Sequence, residues 1–313
     1  MFPYELKVVA LPLSTNFRGL SVREIVLFEG PVGWSEFSPF IEYENREAAI
    51  WLKAALDSAE NQPPKKIREG IEINATLPNV STGEVKNLLT KFPGCKTIKV
   101  KINDFQRDQE LLAESLNYVP DAKFRLDVNG QWNLDQAIEN LKNYEKSFGE
   151  KIDYVEQPCT EVTDLLQLRD KTNIKIAIDE SIRKNLSQNY ALLKEVADIA
   201  VIKWAPAGGI TSALELIEMI DLPVVISSAL ESSIGISHGL SLAQSVSNLY
   251  GACGLGTTAF FKSDITTMPL SINDGVIVNR KVTPDLIDEF GADPDRNKWW
   301  HNRINQIYQE GLM

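Results

Sequence analysis

From residue 71 onward, short runs rich in β-branched residues alternate with amphipathic segments. The runs are IEINATL (71–77), TIKVKIN (97–103), KFRLDVN (123–129), IDYVEQP (152–158), KIAIDES (175–181), IAVIKWA (199–205), LPVVISS (222–228) and YGACGLGT (250–257). Between them lie QRDQELLAESLNYV, NLDQAIENLKNYEK and ITSALELIEMI, each apolar at i, i+3, i+4 spacing as a half-buried helix requires. A strand returns roughly every 23 to 30 residues, which leaves room for one crossover helix and makes neighbouring strands parallel. Eight such units predict an α/β fold, a TIM-like (β/α)8-type barrel over residues 71–267. A doubly wound open sheet offers no reason for eight evenly spaced strands.

Residues 1–70 read differently, as a small α+β capping domain. Tyr4–Leu13, Ser21–Glu29 and Val32–Phe37 form a three-strand meander, followed by an amphipathic helix over Asn45–Ala59 that QPPKK ends. STNFRG, between the first two strands, reads as a polar lid loop. The tail, 268–313, with SINDGVIV and a Trp-rich acidic end, is expected to pack back on this domain and complete it.

Composition removes several function classes. The 313 residues carry a formal net charge of −11, which argues against nucleic acid or an anionic membrane surface as partner. No window approaches the roughly 20 apolar residues of a membrane span, and no basic leader with a small-residue cleavage site is present. Cys95, Cys159 and Cys253 are widely spaced and predict buried thiols rather than disulfides or a zinc cluster. A cytoplasmic protein acting on a small molecule is the expectation.

In TIKVKIN, Ile98, Val100 and Ile102 share one face and Lys99 and Lys101 the other. An antiparallel strand with one wet face shows the same alternation. In a parallel barrel both faces are covered, and two buried ammonium groups then need counter-charges. Those counter-charges stand near the C-terminal ends of the next strands: Asp127 in RLDVNG, Glu156 in YVEQP and Asp179 in AIDES, with Lys203 in VIKWAP on the strand after. Barrel active sites lie at that end, so five titratable groups, one per consecutive strand, converge on one pocket. Each carboxylate alone also has a structural reading, as a turn former, a strand end or an Arg183 partner; five in register do not.

Three crowded carboxylates raise one another's pKa unless a cation lies between them. An all-oxygen set without His or Cys selects a hard cation, Mg²⁺, with Mn²⁺ able to substitute. Lysines flanking a metal are expected to have lowered pKa values and to serve as bases. The chemistry that follows is abstraction of a proton α to a carboxylate, with the metal stabilising an enediolate.

KVK (99–101), DVNGQW (127–132), VEQP (155–158), IAIDES (176–181) and VIK (201–203) together resemble the lysine-dyad branch of the enolase superfamily, and within it the o-succinylbenzoate synthases of menaquinone biosynthesis. The resemblance runs through cap and barrel. It implies that Lys101 is the acid/base in a Mg²⁺-dependent syn elimination of water from 2-succinyl-6-hydroxy-2,4-cyclohexadiene-1-carboxylate. Lys203 would stabilise the enediolate and Lys99 would tune Lys101. Asp127, Glu156 and Asp179 would hold the metal, with Asn129 and Glu180 behind them. SSALESSIG (227–235) looks like the segment that receives the succinyl carboxylate, with Ser228 in direct contact, and Arg18 is the cation of the lid. N-succinylamino acid racemases, dipeptide epimerases and muconate cycloisomerases share this catalytic set and stay open as alternatives. The absence of an acidic residue from GLGTTAFF (254–261) counts against the epimerases, which carry a DxD motif there.

Overall fold

The computed structural model describes residues 1–184 and 190–311. Strands β1 (Lys7–Phe17), β2 (Leu20–Glu29) and β3 (Trp34–Phe37) form an antiparallel meander. Leu11, Ile25 and Leu27 are fully buried there, each contributing about 1.5–3 kcal/mol. Most of the segment expected to be a lid loop is strand, with the β1–β2 register broken between Pro12 and Phe17. Both strands run on to a two-residue turn at Arg18 and Gly19, with φ of 53° and 78°, the paired left-handed conformation that fits a tight hairpin to strand twist. Helix α1 (Asn45–Glu60) covers this sheet with Trp51, Leu52, Ala55 and Ala59.

The first barrel run divides in two. Strand β4 (Gly70–Glu72) turns outward to pair with a late segment, and β5 (Ala75–Leu77) enters the barrel. Then follow α2 (Val85–Leu89), β6 (Thr97–Lys101), α3 (Phe105–Tyr118), β7 (Lys123–Asp127), α4 (Leu134–Phe148), β8 (Ile152–Glu156) and α5 (Val162–Arg169). They continue with β9 (Ile176–Ile178), α6 (Glu180–Lys184), α7 (Tyr190–Val196), β10 (Ile199–Lys203), α8 (Ile210–Ile220), β11 (Val224–Ser227) and α9 (Ser233–Ser245). The chain ends with β12 (Val276–Val278), the partner of β4, and α10 (Pro294–Gln309). Strands β5 to β11 form one parallel sheet in sequence order, the arrangement the alternation predicts.

The eighth run closes the barrel without becoming a regular strand. Leu249, Cys253 and Gly254 bridge to Val224, Ile73 and Ser227, and Gly251, Gly254 and Gly256 explain why the ladder is broken. A buried guanidinium does part of the closing. Arg125 of β7 donates to the carbonyls of Ala252 at 2.6 Å and Tyr250 at 3.4 Å and to Asn74 Oδ1 at 3.3 Å, and pairs with Asp153 at 2.8 Å.

Helix α10 is fixed to the N-terminal sheet. Arg296 grips Glu24 of β2 with two nitrogens, at 2.8 and 2.6 Å, and Trp300 Nε1 donates to the same carboxylate at 2.7 Å. The three cysteines are free and buried. Burial pushes the thiols up, Cys95 and Cys159 to about 12 and Cys253 to about 11. No described helix is long and apolar enough to cross a membrane.

Candidate active site

Strand parity builds the site. Ile98 and Val100 are fully buried toward the helices, which leaves Lys99 and Lys101 on the inner face. Asp127 and Glu156 are the last residues of β7 and β8, and the ladder sets Lys101 beside Asp127 and Asp127 beside Glu156. Asp179 follows β9 by one residue, and Lys203 ends β10 beside Ser227 of β11. All five strand-end groups therefore line the C-terminal mouth of the sheet.

Lys99 bridges two of the carboxylates, 2.9 Å from Asp127 Oδ2 and 2.8 Å from Glu156 Oε1. Lys203 lies 2.6 Å from Asp179 Oδ2. Arg183, on α6, approaches Asp179 Oδ1 to 3.4 Å and Glu180 Oε1 to 3.7 Å. Lys101 makes no hydrogen bond or ion pair with the described residues, so its ammonium is the uncommitted one of the three. Among those residues no three His, Cys, Asp or Glu side chains close up into a metal-binding group; the carboxylates face the lysines instead. Asp127 Oδ1 and Glu156 Oε2 are nevertheless buried without a hydrogen-bond partner, and buried oxygens of that kind call for a cation.

The strand-end carboxylates set the charge of two of the lysines. Burial by itself would lower Lys99, but Asp127 and Glu156 outweigh it and hold the ammonium well above its ordinary value. Lys203 is likewise raised, burial being overcome chiefly by Asp179. The lowering expected of lysines beside a metal belongs to a different charge balance, in which the cation takes up these same carboxylates. Glu156 is pushed up to about 7 by burial, with Asp127 and Asp179 adding to it against the two lysines. Asp179 is held down despite its burial, by Lys203 and Arg183.

Behind these groups the support is polar. Asn129 Nδ2 donates to Glu180 Oε1 at 3.2 Å, which joins the two residues that the sequence places behind the carboxylates. Gln157 Oε1 accepts from the amides of Asp179 at 3.2 Å and Ser181 at 3.0 Å, fixing the turn that presents Asp179. Ser228 lies at the same mouth, but its hydroxyl donates to the Gly254 carbonyl at 2.8 Å and meets Thr257 Oγ1 at 2.8 Å. Arg18 sits at the hairpin tip, 3.3 Å from the Tyr43 hydroxyl, 3.7 Å from Glu42 and over the Phe40 ring at 4.1 Å. Its described partners all belong to the N-terminal unit.

Two charged groups beside the site were not legible as site residues. Glu36 of β3 and Arg23 of β2 are buried and contact the segment after β11. The signal was present in part: a carboxylate between Trp and Phe in WSEF poses the same question as the lysines of TIKVKIN.

Residues 8–59 match the enolase N-terminal domain-like family and residues 85–284 the enolase C-terminal domain-like family. The chain is 42% identical over 309 residues to an o-succinylbenzoate synthase of Mycobacterium ulcerans (strain Agy99), covering 97% of this chain and 93% of that protein. It is 39% identical over 307 residues to the o-succinylbenzoate synthase of Mycobacterium tuberculosis (strain ATCC 25618 / H37Rv), with the same coverage. In fold it resembles the muconate lactonizing enzyme from Pseudomonas putida, with a TM-score of 0.76 at 18% identity over 92% of this chain and 99% of that one.

Proposed function

The chain belongs to the enolase superfamily and, within it, to the o-succinylbenzoate synthases, and from that premise we propose how its residues carry out the reaction. The reaction is the dehydration of 2-succinyl-6-hydroxy-2,4-cyclohexadiene-1-carboxylate to 2-succinylbenzoate, which makes the protein a carbon–oxygen lyase. The observation that carries the proposal is the division of labour among the lysines. Lys99 and Lys203 are held by carboxylates at 2.6–2.9 Å, whereas Lys101 has no such partner among the described residues.

Lys101, as the free amine, takes the proton α to the ring carboxylate. As the resulting ammonium it gives a proton to the hydroxyl leaving from the same face. One C–H and one C–O bond break, a C=C bond forms, water departs and the ring becomes aromatic. Lys203, held as a cation by Asp179, faces the negative charge that develops on the carboxylate, a stabilisation that grows toward the transition state. Lys99 orients Asp127 and Glu156.

Asp127, Glu156 and Asp179 would hold Mg²⁺, or Mn²⁺ with the same hard ligand set. The buried, unpartnered oxygens of Asp127 and Glu156 support that assignment. Bound there, the cation supplies electrostatic stabilisation to the carboxylate as it gains charge. Asn129 and Glu180 steady this set. The segment Ser227–Gly235 is proposed to receive the succinyl carboxylate, and Arg18 to guard the entrance from the hairpin tip.

The test is to follow loss of the diene absorbance with Mg²⁺, with EDTA and with Lys101→Ala. Turnover that disappears under both treatments supports the proposal. Isotope exchange at the α-carbon of N-succinyl amino acids, without dehydration, would favour the racemase alternative.

A further inference from the structure

The segment proposed to receive the succinyl carboxylate belongs to the barrel, yet two buried charged groups of the N-terminal sheet hold it. Arg23 donates to the carbonyls of Leu230 at 3.1 Å and Ala229 at 3.4 Å, and also to those of Ser38 and Pro39. Leu230 needs that support, because it is a fully buried non-glycine residue at φ 64°, a conformation that persists only where surroundings enforce it. Glu36 takes the other polarity. Its Oε2 accepts from the Ser232 amide at 3.1 Å, the Ser232 hydroxyl at 2.5 Å and the Gly235 amide at 3.1 Å. Its Oε1 accepts from Ser38 Oγ at 2.7 Å.

Ser232 is the N-cap of α9 and accepts from the Ile234 amide at 3.2 Å. Glu36 therefore supplies, from another part of the chain, the acceptor for the N-cap amide and for the Gly235 amide of the first turn, while Asp264 takes the Ser233 amide at 3.2 Å. Space is equally committed: a Cβ at Gly235 would stand 2.5 Å from Glu231 Cβ and 3.0 Å from Glu36 Oε2. Glu231 itself turns back to accept from the Ala229 amide at 2.6 Å. Arg23, Glu231 and Glu36 thus fix Ala229, Leu230, Ser232 and Gly235, and Ser232 Oγ holds Ile234 between them.

We infer that Glu36, together with Arg23, is a positioning residue that holds Ala229–Gly235 in the shape that receives the substrate's succinyl carboxylate. The inference rests on the reading of Ser227–Gly235 given above. Glu36 touches neither the lysines nor the carboxylates of the reacting centre in the described contacts, so its loss acts on substrate recognition before it acts on proton transfer. The sheet of the N-terminal unit then contributes to specificity through the interior, besides whatever its hairpin does at the surface.

Amide hydrogen exchange and steady-state kinetics on Glu36→Ala and Glu36→Gln test this. In Glu36→Ala, exchange at the Ser232 and Gly235 amides is expected to rise about tenfold or more while β6 to β8 stay protected. KM is expected to rise about tenfold, with kcat changed less than about threefold. Glu36→Gln keeps an acceptor oxygen and is expected to restore both to within about threefold of the parent. A folded Glu36→Ala with unchanged exchange and unchanged KM overturns the inference, as does a loss confined to kcat. Should Glu36→Ala fail to fold, Ser232→Ala removes one of the same contacts, and unchanged KM and exchange there overturn it equally. A parent protein that does not turn over the diene overturns the functional reading alone, and exchange in Glu36→Ala still decides whether the segment is held as inferred.

Discussion

The ammonium of Lys203 lies 2.6 Å from Asp179 Oδ2, a contact between the end of one barrel strand and the residue just past its neighbour. Both groups are largely buried, so neither tolerates the loss of the other. Lys203→Met is expected to cost about 3 kcal/mol of stability, because it leaves Arg183, at 3.4 Å, as the remaining ion-pair partner of Asp179 among the described residues. The double variant with Asp179→Asn should recover part of that loss, and a denaturant-melt double-mutant cycle measures the coupling. Turnover should fall by about a thousandfold in Lys203→Met, since charge stabilisation at the developing enediolate is removed.

Asp127, Glu156 and Asp179 predict a divalent-cation response visible without substrate. Mg²⁺ at about a hundred times its dissociation constant should add about 2.7 kcal/mol to unfolding stability. Asp127→Asn and Glu156→Gln should each abolish most of that increment, and EDTA should reverse it in the parent. A calorimetric scan with and without Mg²⁺ reads it directly.

Two groups outside the site predict opposing pH effects. Burial pushes His238 down to about 4 from 6.5, so the unfolded chain binds a proton that the folded one refuses between those values. Stability is therefore lost as pH falls through that window, by about 3 kcal/mol in full. Glu36 is pushed up to about 7 from 4.5 by burial and by Glu231, against Ser232, Ser38 and Arg23. The folded protein then keeps a proton the unfolded chain has released, and stability is lost as pH rises through 4.5 to 7. The two contributions offset one another where the windows overlap. Denaturant melts from pH 4 to 8 should show His238→Gln resisting acid better than the parent, and Glu36→Gln losing less stability than the parent as pH rises toward 7.

Arg125 predicts a stability effect separable from chemistry. Arg125→Met takes a donor from two carbonyls of the closing segment and leaves Asp153 with only the Tyr250 hydroxyl among its described hydrogen-bond donors, at an expected cost of about 3–5 kcal/mol. The strand-end charges lie a layer above, so the folded fraction should keep a kcat within about threefold of the parent. Activity per folded molecule, corrected by the melt, checks this.

Much of this was readable before the structure because strand parity and unit length are local properties. Lys99, Lys101, Asp127, Glu156, Asp179 and Lys203 all follow from alternation within a strand and one strand per βα unit. The closing segment 250–257 read as an eighth strand because its apolar pattern is strand-like, but its glycines weaken the ladder and Arg125 supplies part of the pairing. STNFRG read as a loop because it is polar, whereas polarity there marks an exposed hairpin whose turn is only Arg18–Gly19. The lysine pKa values depend on distances of 2.6–2.9 Å that no spacing encodes. The contact of Glu36 with Ser232 joins residues 196 positions apart and exists only once the N-terminal sheet docks on the barrel.

The assignment of Lys101 as the base is tested most directly by turnover of Lys101→Ala on the diene, measured beside its unfolding temperature in Mg²⁺. The account predicts a protein that melts like the parent, still responds to Mg²⁺ and has lost about a hundredfold to ten-thousandfold in kcat. A Lys101→Ala variant that keeps parent-like turnover would contradict it and move the proton transfer to another residue.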